Sequence, residues 1–311
     1  MGGVGVVVNP FAGENRRVAA RTARLAEIVG DAGVVRETVS LDEMAVVGRE
    51  FRERGIDVLA VCGGDGSFFR TLSAVVRAYG AVPLPPFLPL RAGSMNTIAR
   101  GIGGRSGRPE RILAGVVEDY REGRPFDYTE RHLLAVDDDH FGFMVGSGAV
   151  VRFLRAYYRR PGRGGWAAAG MLGRVVTSGL AGTSLARRLL QSTAATIDCD
   201  GERVPFRRFN VVYAGTVSEI GLGLQPAYLA TRKPGYFHLL AGTIQVRDFL
   251  RVLPRLRFGL PLGLPEMYDN LAQRVRVEFS KPTHYMIDGD IIGTASRLTV
   301  ETGPRLRIIR R

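Results

Sequence analysis

The sequence predicts an α/β domain followed by an all-β domain. The first is a doubly wound, mostly parallel sheet over residues 1–128, and the second an antiparallel β-sandwich over residues 129–311 whose last few residues return to the first. Three observations support this. Strand-like and helix-like segments alternate up to about residue 125, which is the grammar of a parallel sheet with helices on both faces. After Asp127 the pattern changes to short, alternating, glycine-punctuated strands. A helical insertion over about residues 150–190 interrupts those strands.

In order along the chain, Val4–Val8 is a β-branched run stopped by Asn9-Pro10, and residues 16–29 carry apolar residues at helical spacing. Residues 34–39 read as a second strand, and Asp42 as the N-cap of a helix to Arg54. A third strand over residues 57–61 ends at Gly63-Gly64, and a helix follows over 67–78. Residues 87–90 are a fourth strand, 95–100 the start of a helix after Gly93-Ser94, and 110–122 the last helix of the domain. The second domain reads as strands over 133–136, 141–145, 194–198, 209–214, 275–279 and 298–301. No repeat, linker or low-complexity segment breaks the chain.

The net charge is +13, from 43 Lys and Arg against 30 Asp and Glu. Such a balance suits an anionic partner, either an acidic membrane or a phosphate-bearing substrate, or reflects a general preference for Arg. No basic run is interleaved with aromatics as in a nucleic-acid module, so nucleic acid is not an expected partner. Cys62 and Cys199 form no disulfide framework and fit a reducing cytoplasm. The first nine residues lack a basic n-region, and the apolar stretch over 166–176 is far shorter than the roughly 20 residues that span a bilayer. A cytoplasmic chain, in contact at most with a membrane surface, is the expectation. His132, His140, His238 and His284 show no zinc-ligand spacing, and Asp137-Asp138-Asp139 reads as a solvated turn.

The segment that holds the most chemistry is Gly63-Gly64-Asp65-Gly66-Ser67, where a buried strand breaks and runs directly into a helix. Glycines let the backbone approach a phosphate chain, and the helix start offers free N–H groups and positive partial charge. Asp65 can hold a magnesium ion or its water, and Ser67 can donate to a phosphate oxygen. Two other loops follow parallel strands at the same sheet edge: Asn9-Pro10-Phe11-Ala12-Gly13 and Arg91-Ala92-Gly93-Ser94-Met95-Asn96. Ligands of such sheets bind at that edge. Singly, each of these two is an ordinary turn sequence. Near the C-terminus, Asp288-Gly289-Asp290 is either a hairpin turn or an acidic site.

Taken together, NPFAG at residues 9–13, GGDGS at 63–67, GSMN at 93–96 and DGD at 288–290 resemble the diacylglycerol-kinase catalytic family, which includes sphingosine and ceramide kinases. The resemblance implies an ATP-dependent lipid kinase with its active site in a cleft between the two domains. It implies nucleotide contacts at Asn9, Pro10, Gly13, Thr38, Gly63, Gly64, Asp65, Gly66, Ser67, Gly93 and Ser94, and extends them over the rest of residues 9–13 and 63–69. Asn96 would lie near the substrate hydroxyl or cap the following helix. Asp65 would organise the magnesium that accompanies ATP, and Asp290, where the family has Glu, would be the base. The expected partner is a lipid such as diacylglycerol or a sphingoid base.

Three departures qualify this. Thr97 stands where many members have Asp, residues 233–238 lack the carboxylates of the family's structural magnesium site, and residues 219–224 replace its small-glycine run. No structural metal is therefore expected. Residues 152–188 mix aromatic and aliphatic side chains with arginines, and read either as a membrane-surface segment or as a core-covering insertion. The alternatives to a lipid kinase are an NAD-kinase-like enzyme, which also uses GGDGT, and a non-catalytic relative that binds lipid or nucleotide.

Overall fold

The computed structural model describes residues 2–13, 20–93, 96–104, 106–159, 165–180 and 184–310. The chain forms two compact units, residues 1–131 with 304–311 and residues 132–303.

The first unit contains β1 (Val4–Val8), α1 (Arg21–Val29), β2 (Gly33–Glu37), α2 (Leu41–Arg54), β3 (Val58–Gly63), α3 (Asp65–Tyr79), β4 (Phe87–Arg91), α4 (Thr97–Gly101) and α5 (Pro109–Arg121). The strands lie in the order β2-β1-β3-β4, all parallel. β1 and β3 are buried along their whole length, as strands covered on both faces must be. Alternation assigns the faces. Val4, Val6, Val8, Val58, Ala60, Cys62, Leu88 and Leu90 pack under Leu25 and Val29 of α1 and Leu113 and Val116 of α5. On the other face a side chain at Gly5 would meet Phe51 of α2, and Phe68 of α3 meets Phe87 edge-on with ring centres 5.8 Å apart.

The chain crosses from β1 to β2 in one direction and from β3 to β4 in the other. β1 and β3 are adjacent, so the sheet has its topological switch point between them, where the carboxyl-end loops leave a crevice.

Several local expectations shift. The helix expected from Ser67 begins at Asp65, directly after the N-cap Gly64, which puts Asp65 in the first turn. α2 is capped by Ser40 and not by Asp42: Ser40 Oγ accepts the Glu43 N–H at 3.2 Å, and Glu43 accepts the Val39 N–H. Glu43 thus reaches the residue before the N-cap, which ties down the entry to the helix without the full reciprocal capping box, and Asp42 in the first turn favours the helix dipole. The second strand ends at Glu37, so Thr38 lies just beyond it. The short helix after Asn96 covers Thr97–Gly101.

The second unit contains most of β5 (Tyr128–Val136), then β6 (His140–Gly142), β7 (Met144–Gly148), α6 (Ala149–Tyr158), α7 (Gly165–Leu180), α8 (Ser184–Leu189), β8 (Thr193–Cys199), β9 (Glu202–Arg203), β10 (Arg208–Phe209), β11 (Val211–Gly215), β12 (Phe237–Gly242), α9 (Val246–Phe258), β13 (Met267–Ala272), β14 (Arg274–Ile287) and most of β15 (Asp290–Ile309). Every strand pairing recorded inside this unit is antiparallel, and its long path runs β13-β12-β11-β7-β14-β15. The α/β-then-β-rich division read from the sequence is thus the observed one. α6, α7 and α8 occupy the expected insertion and share a small apolar core of Met171, Val175 and Leu189 with Phe153 and Leu185 packed against it. Among the described residues no helix is long and apolar enough to cross a membrane.

Candidate functional site

In the first unit, three loops at the carboxyl ends of β1, β3 and β4 are fastened to one another. Asn9 links the first two: its backbone N–H donates to Cys62 O at 3.1 Å, and its Nδ2 donates to Ser67 Oγ at 3.0 Å. The same side chain turns its own loop, with Oδ1 accepting the Phe11 N–H at 2.9 Å. Pro10 and Gly13 lie on that turn.

The second and third loops approach backbone to backbone. A Cβ built on Gly93 would sit 2.5 Å from Gly64 Cα, and one on Gly63 would sit 2.4 Å from Ser67 Cβ. No side chain fits at Gly93, which is why this sequence needs glycine there. The Ala92 N–H completes the junction on Gly63 O at 2.9 Å.

Asp65 reaches across to α4. Its Oδ2 accepts the Thr97 N–H and its Oδ1 the Ile98 N–H, each at 2.9 Å. A carboxylate here satisfies two of the donors that a helix start leaves open and complements the positive end of the helix. Arg91 donates to Ala99 O in the middle of α4 at 3.2 Å and to Gly104 O just beyond the helix, so this five-residue helix is held on both sides.

Asn96 occupies the N-cap position of α4, but its side chain makes no cap hydrogen bond there. It adopts the left-handed conformation (φ 51°), its Nδ2 donates to Gly93 O at 2.7 Å, and its Oδ1 accepts the Gly93 N–H at 3.0 Å. The side chain therefore closes the third loop on itself. Ser94 lies outside the described residues.

Thr38 has no exposed surface, its N–H donates to Val8 O at 3.0 Å, and its hydroxyl has no hydrogen-bond partner among the described residues. An unmet buried hydroxyl costs about 1–3 kcal/mol. Its position after β2, beside the end of β1, places this unmet hydroxyl near the loops.

In the second unit, Asp288 and Gly289 form the two-residue turn between β14 and β15, both with positive φ (49° and 89°), and Ile287 pairs with Asp290. The hairpin reading of DGD is therefore correct as structure. Asp288 is buried, and its Oδ1 accepts the N–H groups of Phe143 and Met144 at 2.9 and 2.8 Å. The half-buried Asp290 follows it. Burial and the Asp288 charge together push the Tyr213 phenol upward, keeping it protonated.

The stretch expected to lack a metal site holds a different device. His238, fully buried, meets Asp269 Oδ1 through Nε2 at 2.8 Å, and the Tyr228 hydroxyl donates to the same oxygen at 2.8 Å. Burial alone would raise the Asp269 carboxyl, but the hydrogen bonds from His238 and Tyr228 outweigh it and hold the pKa below the usual range. Sequence reasoning missed both this cluster and the anchoring role of Asp288. For Asp288 the signal was present, because Asp-Gly is the favoured pair for such a turn. For His238 and Asp269, 31 positions apart on β12 and β13, no sequence signal joined them. Among the described residues no group of three or more His, Cys, Asp or Glu side chains is arranged to hold a metal.

With this geometry in place, the comparison with known proteins is decisive for the first unit. Residues 3–124 match the diacylglycerol kinase catalytic domain. The resemblance read from the motifs holds for the segment that carries the three loops. Solved structures extend the likeness in fold. A diacylglycerol kinase from Bacillus anthracis str. Sterne aligns with a TM-score of 0.66 at 15% identity, over 99% of this chain and 97% of that one. A "putative diacylglycerol kinase" from the same organism aligns with a TM-score of 0.70 at 15% identity over the same shares. At such identity the likeness shows the fold alone. No curated protein matched by sequence.

Proposed function

We propose that the protein is an ATP-dependent lipid kinase acting on a hydroxyl of diacylglycerol, a sphingoid base or a related lipid. The observation that carries this reading is the fastening of the three loops around Gly63, Gly64 and Gly93 at the switch point, within the segment that matches the diacylglycerol kinase catalytic domain.

The residues present suit a nucleotide. The packing of Gly64 on Gly93 holds the second and third loops together at the switch point, the 15-residue α3 directs its N-terminus at the loops, and Thr38 offers a hydroxyl that the described residues leave unmet. Asn9, Pro10, Gly13, Gly66, Ser67 and Ser94 complete the nucleotide set. A magnesium ion accompanying the triphosphate would neutralise its charge. Asp65, whose two oxygens accept the Thr97 and Ile98 N–H groups, is the carboxylate that would face that ion's water. Its first task is to position α4.

In the reaction the lipid hydroxyl oxygen bonds to the γ-phosphorus, the bond from that phosphorus to the β,γ-bridging oxygen breaks, and ADP leaves with the electron pair. The carboxylate of Asp290 takes the hydroxyl proton. Asn96 acts by shaping the loop nearest the transferred group. Phosphoryl transfer needs placement and charge neutralisation above all, which is what a locked loop cluster supplies.

The test is an acceptor panel with labelled ATP and magnesium, comprising diacylglycerol, monoacylglycerol, sphingosine, ceramide, phosphatidylglycerol and NAD. Label in one lipid supports the reading. Label in NAD replaces it, and nucleotide binding with no acceptor makes the protein a non-catalytic relative.

A further inference from the structure

Positive charge is not spread evenly along this chain. Residues 149–190 contain eight arginines and no Asp or Glu, and α9 contains four arginines and one Asp. These stretches contribute eight and three net charges, against +13 for the whole chain. A general preference for Arg over Lys does not explain why acids are missing from one stretch. The helices of the first stretch are also neighbours of α9 in space, since α9 packs on α7, and α7 on α6 and α8.

α9 itself is two-faced. Val252 is buried, whereas Arg247, Arg251, Arg255 and Phe258, at spacings of four, four and three, share the exposed stripe. Phe258 is 71% exposed and Leu260, just beyond the helix, 49%. The turn that presents them is built: Gly259 closes the helix with φ 61°, the Leu260 N–H donates to Arg255 O at 2.9 Å, and Arg255 Nη1 donates to Pro261 O at 2.8 Å. Two large apolar side chains are thus held in solvent at the end of an arginine stripe.

We propose that the helical layer α6–α9 docks the second unit on an anionic membrane surface, with the α9 arginines among lipid phosphates and the Phe258–Leu260 turn inserted at the headgroup boundary. This deepens the lipid-kinase reading, on which it rests for a substrate that resides in a membrane. Charge alone would also attract nucleic acid, but an exposed phenylalanine and leucine at the tip suit a surface with an apolar interior.

The test is co-sedimentation of the full chain with phosphatidylcholine vesicles, with and without phosphatidylglycerol, together with electrophoretic shift of a DNA duplex. Binding is expected only to the anionic vesicles and to fall as salt rises from about 0.05 to 0.5 M. Arg247→Gln with Arg251→Gln should weaken it about fivefold for each arginine removed. Phe258→Ser should weaken it about tenfold or more, because burial of the ring is lost. Both variants should melt as the wild type does, since these side chains are exposed. Label transfer to lipid in detergent mixed micelles should be unchanged in both, which separates docking from catalysis. If micellar transfer fails in the wild type while vesicle binding behaves as described, the kinase reading falls and the docking surface stands. Equal binding to neutral vesicles, no effect of either variant, or duplex binding that survives where vesicle binding is absent would overturn the proposal.

Discussion

Asp65 and Thr97 are joined across two loops by a 2.9 Å hydrogen bond from the Thr97 N–H to Asp65 Oδ2. With the matching bond from Ile98, it makes Asp65 the residue that fixes α4 against the GGDGS loop.

Asp65→Asn preserves volume but turns a donor toward one of these N–H groups. Turnover should fall at least about a hundredfold, as expected when a preorganised charge is lost. Amide exchange at Thr97 and Ile98 should quicken, with about 1–3 kcal/mol lost in stability. Unchanged exchange at both amides would remove Asp65 from the positioning role, and wild-type turnover would remove it from the mechanism.

Thr38→Val removes a buried hydroxyl that the described residues leave unmet, at almost no change of shape. Stability without ligand should hold or rise slightly, while ATP affinity should fall about five- to tenfold, the worth of one hydrogen bond. Calorimetric titration of both proteins measures this. Equal affinities would show that Thr38 does not touch the nucleotide.

The Asp269 carboxyl is held below its ordinary range in the folded chain by His238 and Tyr228. A depressed folded pKa means that this group's stabilisation is fully present above about pH 4, the unfolded value, and is lost as pH falls through the lower folded value. Acid titration of stability should therefore be shallower in Asp269→Asn than in the wild type below about pH 4. Parallel curves there would show that the cluster contributes nothing to acid sensitivity.

Asp288 and Asp290 should separate cleanly. Asp288→Asn removes charge from the acceptor of two buried N–H groups and should cost about 1–3 kcal/mol. Asp290→Asn should leave melting and ATP affinity nearly unchanged while abolishing transfer to lipid, and Asp290→Glu should retain part of the activity. Full activity in Asp290→Asn would leave the segment as a hairpin turn only.

What the sequence made legible was local and periodic. The buried β-branched runs marked the parallel strands, and the glycines of GGDGS marked backbone open to close approach, whereas the packing of Gly93 on Gly64 carried no sequence signal. What it hid depends on partners distant in the chain. Nothing in the order of residues says that Asp65 will spend its oxygens on α4, or that Asn96 will turn back on Gly93. α2 shows a nearer miss. Ser40 and Glu43 have the spacing of a capping box, but Asp42 is an equally good cap by type, and only the spacing to Glu43 decides between them.

The most direct test of the central claim follows γ-labelled ATP, magnesium and the preferred lipid with the purified protein, counting ADP and phosphorylated lipid together. One lipid phosphate for each ADP, abolished in Asp290→Asn and strongly reduced in Asp65→Asn, is the predicted result. Label appearing only as inorganic phosphate, or one-to-one transfer that neither substitution alters, would contradict it.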